Sequence, residues 1–163
     1  MSRRGSPAGF DAVVSSPVGP LGIAIEAGAL TRIALLPPDT PETMTLHPLA
    51  RETAAQLARY FEDPGWRFDL PTAELGTPFR RRVWRALRDI PGGTTRSYGA
   101  LADELATSPR AVGGACRANP LLLVTPCHRV TGAGGDPGGF AGAAGGHPLR
   151  VKQWLLAHEA MLR

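Results

Sequence analysis

The sequence predicts an α+β chain in two parts. A small N-terminal antiparallel β-sheet plus helix domain covers residues 1–74, and a mostly helical domain with a winged-helix-like helix-turn-helix covers residues 75–163. Three observations carry this reading. Short β-branched runs separated by Gly/Pro turns fill residues 10–36, helical periodicity dominates beyond residue 76, and charge is divided unevenly between the two parts. Residues 1–74 hold six arginines against nine acids, whereas residues 75–163 hold eleven arginines and one lysine against five acids. The formal net charge is only +4, so its distribution says more than its size. A basic second part calls for a polyanionic partner, and guanidinium forks match phosphate geometry.

In the first part, "FDAVVSS", "LGIAIE" and "LTRIALL" read as strands, separated by the turns "PVGP" and "AGA". Residues 37–48 are a Pro/Thr-rich loop. Residues 49–62 read as a helix, with Leu49, Thr53, Leu57 and Phe61 on one face. Residues 66–74 form a link with room for a last strand at "RFDL". The second part opens on "TPFRRRVWRALRDI", a helix capped by Thr77 with Pro78 at its first position. Ser97 caps a short helix, "YGALADELA"; after the break "TSP" a second, "RAVGGACRAN", runs to Asn119. "LLLVTP" reads as extended, and a glycine-rich loop follows. The last helix, "LRVKQWLLAHEAML", turns Val151, Trp154, Leu155 and Leu156 inward.

Composition excludes several classes. No apolar run approaches the ~20 residues of a membrane span, and the N-terminus lacks the apolar segment of a secretory signal. The expected location is the cytoplasm. Cys116 and Cys127 are the only cysteines, with neither Cys-x-x-Cys nor His-x-x-x-His spacing, so neither a disulfide framework nor a metal site is expected.

Two features draw chemistry. The helix at 110–119 carries Ala111, Gly113, Gly114, Ala115 and Ala118. Two interior glycines cost roughly 1 kcal/mol each relative to alanine, so something approaches this helix closely: another helix or an external partner. The second feature is "TPCHRV", where Cys127 stands beside His128 and Arg129. On an extended segment neighbouring side chains point to opposite sides, so direct Cys–His contact does not follow. Glu159 is a candidate to orient the imidazole. On these residues alone, a reactive thiolate and a small buried hydrophobe both remain open.

The second part resembles the O6-alkylguanine-DNA alkyltransferases, also called methylated-DNA–protein-cysteine methyltransferases. The resemblance lies in "GTPFRRRVWRAL", "IPGGTTRSYGALA", "RAVGGACRANP", "PCHRV" and "KQWLLAHE", over about residues 75–159. It implies a single-turnover DNA repair protein that moves alkyl groups from O6-alkylguanine, and from O4-alkylthymine, to Cys127 by minor-groove base flipping. It makes His128 the base, Glu159 its support and Asn119 a hinge. Tyr98, the carbonyls of Cys127 and Val130, and the Phe140–Ala141 segment would hold the base, with Cys116 in the pocket wall. Arg110 would fill the gap in the stack, and Ser97, Tyr98, Ala111, Gly114 and Arg117 would meet the DNA. The implied partner is double-stranded DNA with alkylated bases, bound by a monomer that can cluster along it, without membrane, metal or cofactor. This chain departs from the family in having Phe140 where a tyrosine is usual and a longer Ala141–Pro148 loop. A DNA-binding damage sensor and a Cys–His–Glu hydrolase are the competing readings.

Overall fold

The computed structural model describes residues 9–43, 45–132 and 146–162. The chain folds into two compact units, residues 1–74 with 120–122, and residues 75–119 with 123–163.

The first unit is built on three strands, β1 (Ala12–Val14), β2 (Leu21–Glu26) and β3 (Ala29–Leu35), paired antiparallel in that order. Ile23 sits opposite Ala12 on one side and Ile33 on the other. All of β2 except Glu26 is buried, so both its faces are covered. Gly22 makes this possible: a Cβ there would lie 2.6 Å from the Phe10 ring, which lies against the strand and is covered by the Arg32 guanidinium 5.1 Å away. Helix α1 (Pro48–Glu62) starts at His47, whose ring nitrogen accepts the Leu49 N–H at 3.2 Å. Its buried face is Ala50, Thr53, Gln56, Leu57 and Tyr60, rotated from the expected Leu49–Phe61 stripe.

Gln56 explains a difference from the sequence reading. Its side chain exchanges hydrogen bonds with the Asp69 backbone in both directions, at 2.9 and 2.8 Å, inside the "RFDL" segment. The side chain replaces a strand partner there, and pairing begins only at the parallel bridge between Leu30 and Thr72. Pro120–Leu122 adds to the free edge of β3, with Ile33 N–H donating to Pro120 O and Leu122 N–H to Ile33 O.

The second unit begins with α2 (Pro78–Arg88), capped by Thr77 Oγ1 accepting from Arg80 N–H at 3.2 Å. Val83, Trp84 and Leu87 form its inner face. The helix-turn-helix follows as α3 (Tyr98–Glu104), capped by Ser97, and α4 (Pro109–Arg117), capped by Ser108. The Trp84 indole N–H donates to Ala115 O at 2.8 Å and ties α2 to α4. Strands β4 (Arg96–Ser97) and β5 (Val130–Thr131) form a short parallel pair, and α5 (Gly146–Ala160) ends the unit.

Three local expectations are corrected. Residues 122–125 form a turn rather than an extended run, with Leu123 at φ 73°. Cys127–Arg129 is a 3₁₀ turn, closed by Arg129 N–H on Pro126 O at 3.0 Å. Trp154 faces outward, 37% exposed and stacked on His158, because Lys152 and Glu159 occupy the inner face of α5 with Val151 and Leu155.

Gly76 supplies a stability test. Its φ is +81°, and a Cβ there would lie 2.6 Å from Trp84. Gly76→Ala is expected to lower the unfolding free energy by about 1–3 kcal/mol, read from denaturant midpoints.

Candidate active site

Cys127 opens the 3₁₀ turn and is only 5% exposed. Its own backbone N–H donates to Thr125 O at 2.8 Å. Asn119, just beyond α4, uses one amide nitrogen for two partners: it donates to that same Thr125 carbonyl at 2.8 Å and to Cys127 Sγ at 3.3 Å. Thr125 is itself held from α2, where Arg88 Nε donates to its hydroxyl at 3.0 Å. The turn containing the cysteine is thus pinned from both helices. Burial pushes the Cys127 thiol up from its ordinary value, against the Asn119 hydrogen bond and the Lys152 charge, which pull it down. The resting group is a thiol with a donor already aimed at the sulfur.

His128 is wholly buried, and its Nε2 lies 2.7 Å from Glu159 Oε2. Burial lowers its pKa, outweighing Glu159, so the ring is neutral near pH 7. With Glu159 ionised, Nε2 carries the hydrogen and Nδ1 keeps its lone pair. Nδ1 is buried without a hydrogen-bond partner among the described residues. Glu159, 1% exposed, also receives a fork from Arg129, Nε to Oε1 at 2.8 Å and Nη2 to Oε2 at 3.0 Å. Arg129 Nη1 donates to Ile90 O at 2.6 Å, at the end of α2. Lys152, also buried, donates to Val130 O at 2.7 Å with its ammonium 5.8 Å from the Tyr98 ring centre.

Helix α4 lies beside this cluster in the chain and presents a bare face. A Cβ added at Gly113 or Gly114 would meet nothing within 4 Å among the described residues. Among the described residues, no tight internal packing accounts for these glycines. Ala111, Gly114, Ala115, Arg117 and Ala118 line an open cleft of about 480 Å³ with Thr77, Phe79 and Arg80 from the start of α2.

The family profile described as 6-O-methylguanine DNA methyltransferase, DNA binding domain, matches residues 78–161. A methylated-DNA–protein-cysteine methyltransferase of Methanosarcina acetivorans is 35% identical over 92% of this chain and 97% of its own length. The chain belongs to this family. A Shigella flexneri member is 48% identical over 95 residues, which span 57% of this chain and 53% of that protein. The solved structure of Mycobacterium tuberculosis OGT in complex with DNA superposes with TM-score 0.72 at 36% identity, covering 91% of each chain. The methyltransferase is thus a DNA repair protein that transfers alkyl groups to a protein cysteine, and its α+β fold is that of its solved relatives.

The methyltransferase structure brings Cys127, His128, Glu159 and Asn119 into one cluster, with Val130 directly after the turn. Tyr98 is half-buried at the first position of α3, beneath Lys152. Ser97 Oγ is engaged as the α3 cap, accepting from Ala100 N–H at 3.0 Å. Arg110 and Arg117 are exposed at the two ends of α4, with Ala111 and Gly114 between them. Cys116 is half-buried, and burial together with the nearby Cys127 pushes its thiol up to about 12. Phe140 and Ala141 lie outside the described residues.

Four contributors escape the sequence reading. Arg129 reads there only as nearby charge, and Thr125 and Arg88 carry no signal. Lys152 carries one: it lies seven residues before Glu159, two helical turns, so two charges share one face.

His128 predicts a pH effect. Its folded pKa is depressed, so its stability contribution is fully present above about pH 6.5. That contribution is lost as pH falls from there toward the folded value. Urea midpoints of the wild type are expected to fall more steeply on acidification than those of His128→Gln; parallel curves would contradict a buried neutral imidazole.

Proposed function

We propose that the methyltransferase removes alkyl groups from O6-alkylguanine, and from O4-alkylthymine, in duplex DNA by a single displacement onto Cys127. The bond from Sγ to the alkyl carbon forms as the bond from that carbon to the base oxygen breaks. The thiol proton passes through a water to His128 Nδ1, from which it is available to the departing base. The product is a restored base and a thioether on the protein, so each molecule acts once. The observation that carries this reading is the buried Cys127 thiol, bonded by Asn119 and followed in the same turn by an imidazole backed by Glu159. Nucleophile, base and support all come from the chain, so no cofactor enters.

Burial of Cys127 sets the mode of DNA binding. A thiol 5% exposed cannot reach a stacked base, so the alkylated nucleotide must leave the helix. In this reading α4 enters the minor groove, where its uncovered glycine face allows close approach, and Arg110 fills the vacated stack. Tyr98 holds the flipped base. Cys127 O already accepts the Val130 N–H, and Val130 O accepts Lys152, which leaves each carbonyl a second lone pair for the guanine amino group. Asn119 is the hinge between α4 and the cysteine turn, and Cys116 stands in the pocket wall. Ser97, Ala111, Gly114 and Arg117 meet the backbone or groove. The protein works as a cytoplasmic monomer that clusters on DNA.

Intact mass after incubation with an O6-methylguanine duplex tests the reading. One methyl per protein, on Cys127 and absent from Cys127→Ala, is expected. DNA binding without any mass gain would indicate a sensor, and repeated turnover of a small ester a hydrolase. Arg110→Ala is expected to slow transfer from the duplex by at least about tenfold, some 1.4 kcal/mol, and to slow transfer from the free alkylated base far less. Equal slowing of both would contradict a role in base flipping.

A further inference from the structure

The Arg129 fork raises a question that the family role of Glu159 does not answer: what keeps a carboxylate charged when it is 1% exposed? Desolvation favours the neutral acid, and an uncompensated buried charge is costly. The consequence of neutralisation here is chemical. A protonated Glu159 would donate its O–H to His128 Nε2, and the imidazole hydrogen would move to Nδ1. The ring would then present an N–H where a base needs a lone pair.

We propose that Arg129 is the positioning residue that selects the reactive tautomer of His128, by holding Glu159 as a carboxylate. Neutral His128 supplies that carboxylate with one N–H and no full charge. Arg129 supplies two N–H groups and a full positive charge, at 2.8 and 3.0 Å. Its third donor, on Ile90 O at 2.6 Å, fixes the guanidinium plane against the end of α2, so the fork cannot swing away. The Glu159 oxygens are thereby committed as acceptors, and Nε2 at 2.7 Å must be the donor. Burial chiefly opposes protonation of His128, and this charge adds to it together with that of Lys152, so the ring stays a free base until the thiol proton arrives. Arg129 touches neither sulfur nor base in this scheme; it acts through Glu159 and His128.

The effect of the tautomer on rate rests on the proposed base role of His128, but the tautomer itself is read without DNA. Protein labelled with ¹⁵N-histidine, with His128→Gln for assignment, reports which ring nitrogen carries the hydrogen. The wild type is expected to show Nε2–H and a bare Nδ1. Arg129→Gln is expected to move hydrogen to Nδ1, and Arg129→Lys, which keeps the charge, to retain Nε2–H. Single-turnover methyl transfer should fall at least about tenfold in Arg129→Gln and recover in part in Arg129→Lys. Should Arg129→Gln not fold, the wild type and Arg129→Lys decide the matter. Nδ1–H in either of them, or unchanged Nε2–H in a folded Arg129→Gln, would overturn the proposal. Absence of methyl transfer in the wild type with the expected tautomers would count against the proposed function alone.

Discussion

A single buried carboxylate organises the second unit. Glu159, on the inner face of α5, receives His128 and the Arg129 fork from the cysteine turn, and Arg129 in turn reaches the end of α2 at Ile90. Three elements distant in sequence thus meet at one group. Buried ion pairs often add little net stability, because desolvation offsets their attraction, yet removal of one partner is costly. The value of this one lies in geometry. It fixes which way the imidazole faces and forces the segment 127–129 into a tight turn, with Cys127 held at its first position by Asn119 and Thr125.

In the proposed mechanism the same arrangement lets a buried thiol act without being exposed. Burial holds Cys127 protonated and reserves its reactivity, while Asn119 and Lys152 favour the thiolate that attack requires. In the proposed mechanism access is delegated to the DNA. On the proposed reading α4 meets the duplex with a face where no described residue crowds Gly113 and Gly114, and arginines stand at both ends of that helix. Phosphate attraction supplies affinity without sequence preference, which suits a protein whose target is defined by a lesion.

Much of this is legible in the chain and some is not, for physical reasons. Capping residues Thr77 and Ser97 and the Gly/Pro turns between β-strands act locally, so helix starts and strand breaks are readable from neighbouring residues. The glycines of α4 are visible as an unexplained cost, and no described residue packs tightly against them. The 3₁₀ turn at Cys127 is not visible, because it depends on Glu159, thirty residues beyond Arg129, and on the Thr125 carbonyl. Hydrophobicity places Trp154 inward, whereas the inner positions belong to Lys152 and Glu159, whose partners lie elsewhere in the fold. "RFDL" loses its strand to Gln56, a side-chain contact no periodicity reports.

The central claim is that the carboxylate-backed imidazole drives transfer to Cys127. The most direct measurement is the single-turnover rate of methyl transfer from an O6-methylguanine duplex to Glu159→Gln, which keeps the side-chain shape and removes the charge. The account predicts an unchanged end point of one methyl per protein, reached at least about a hundredfold more slowly. A rate equal to that of the wild type would contradict it.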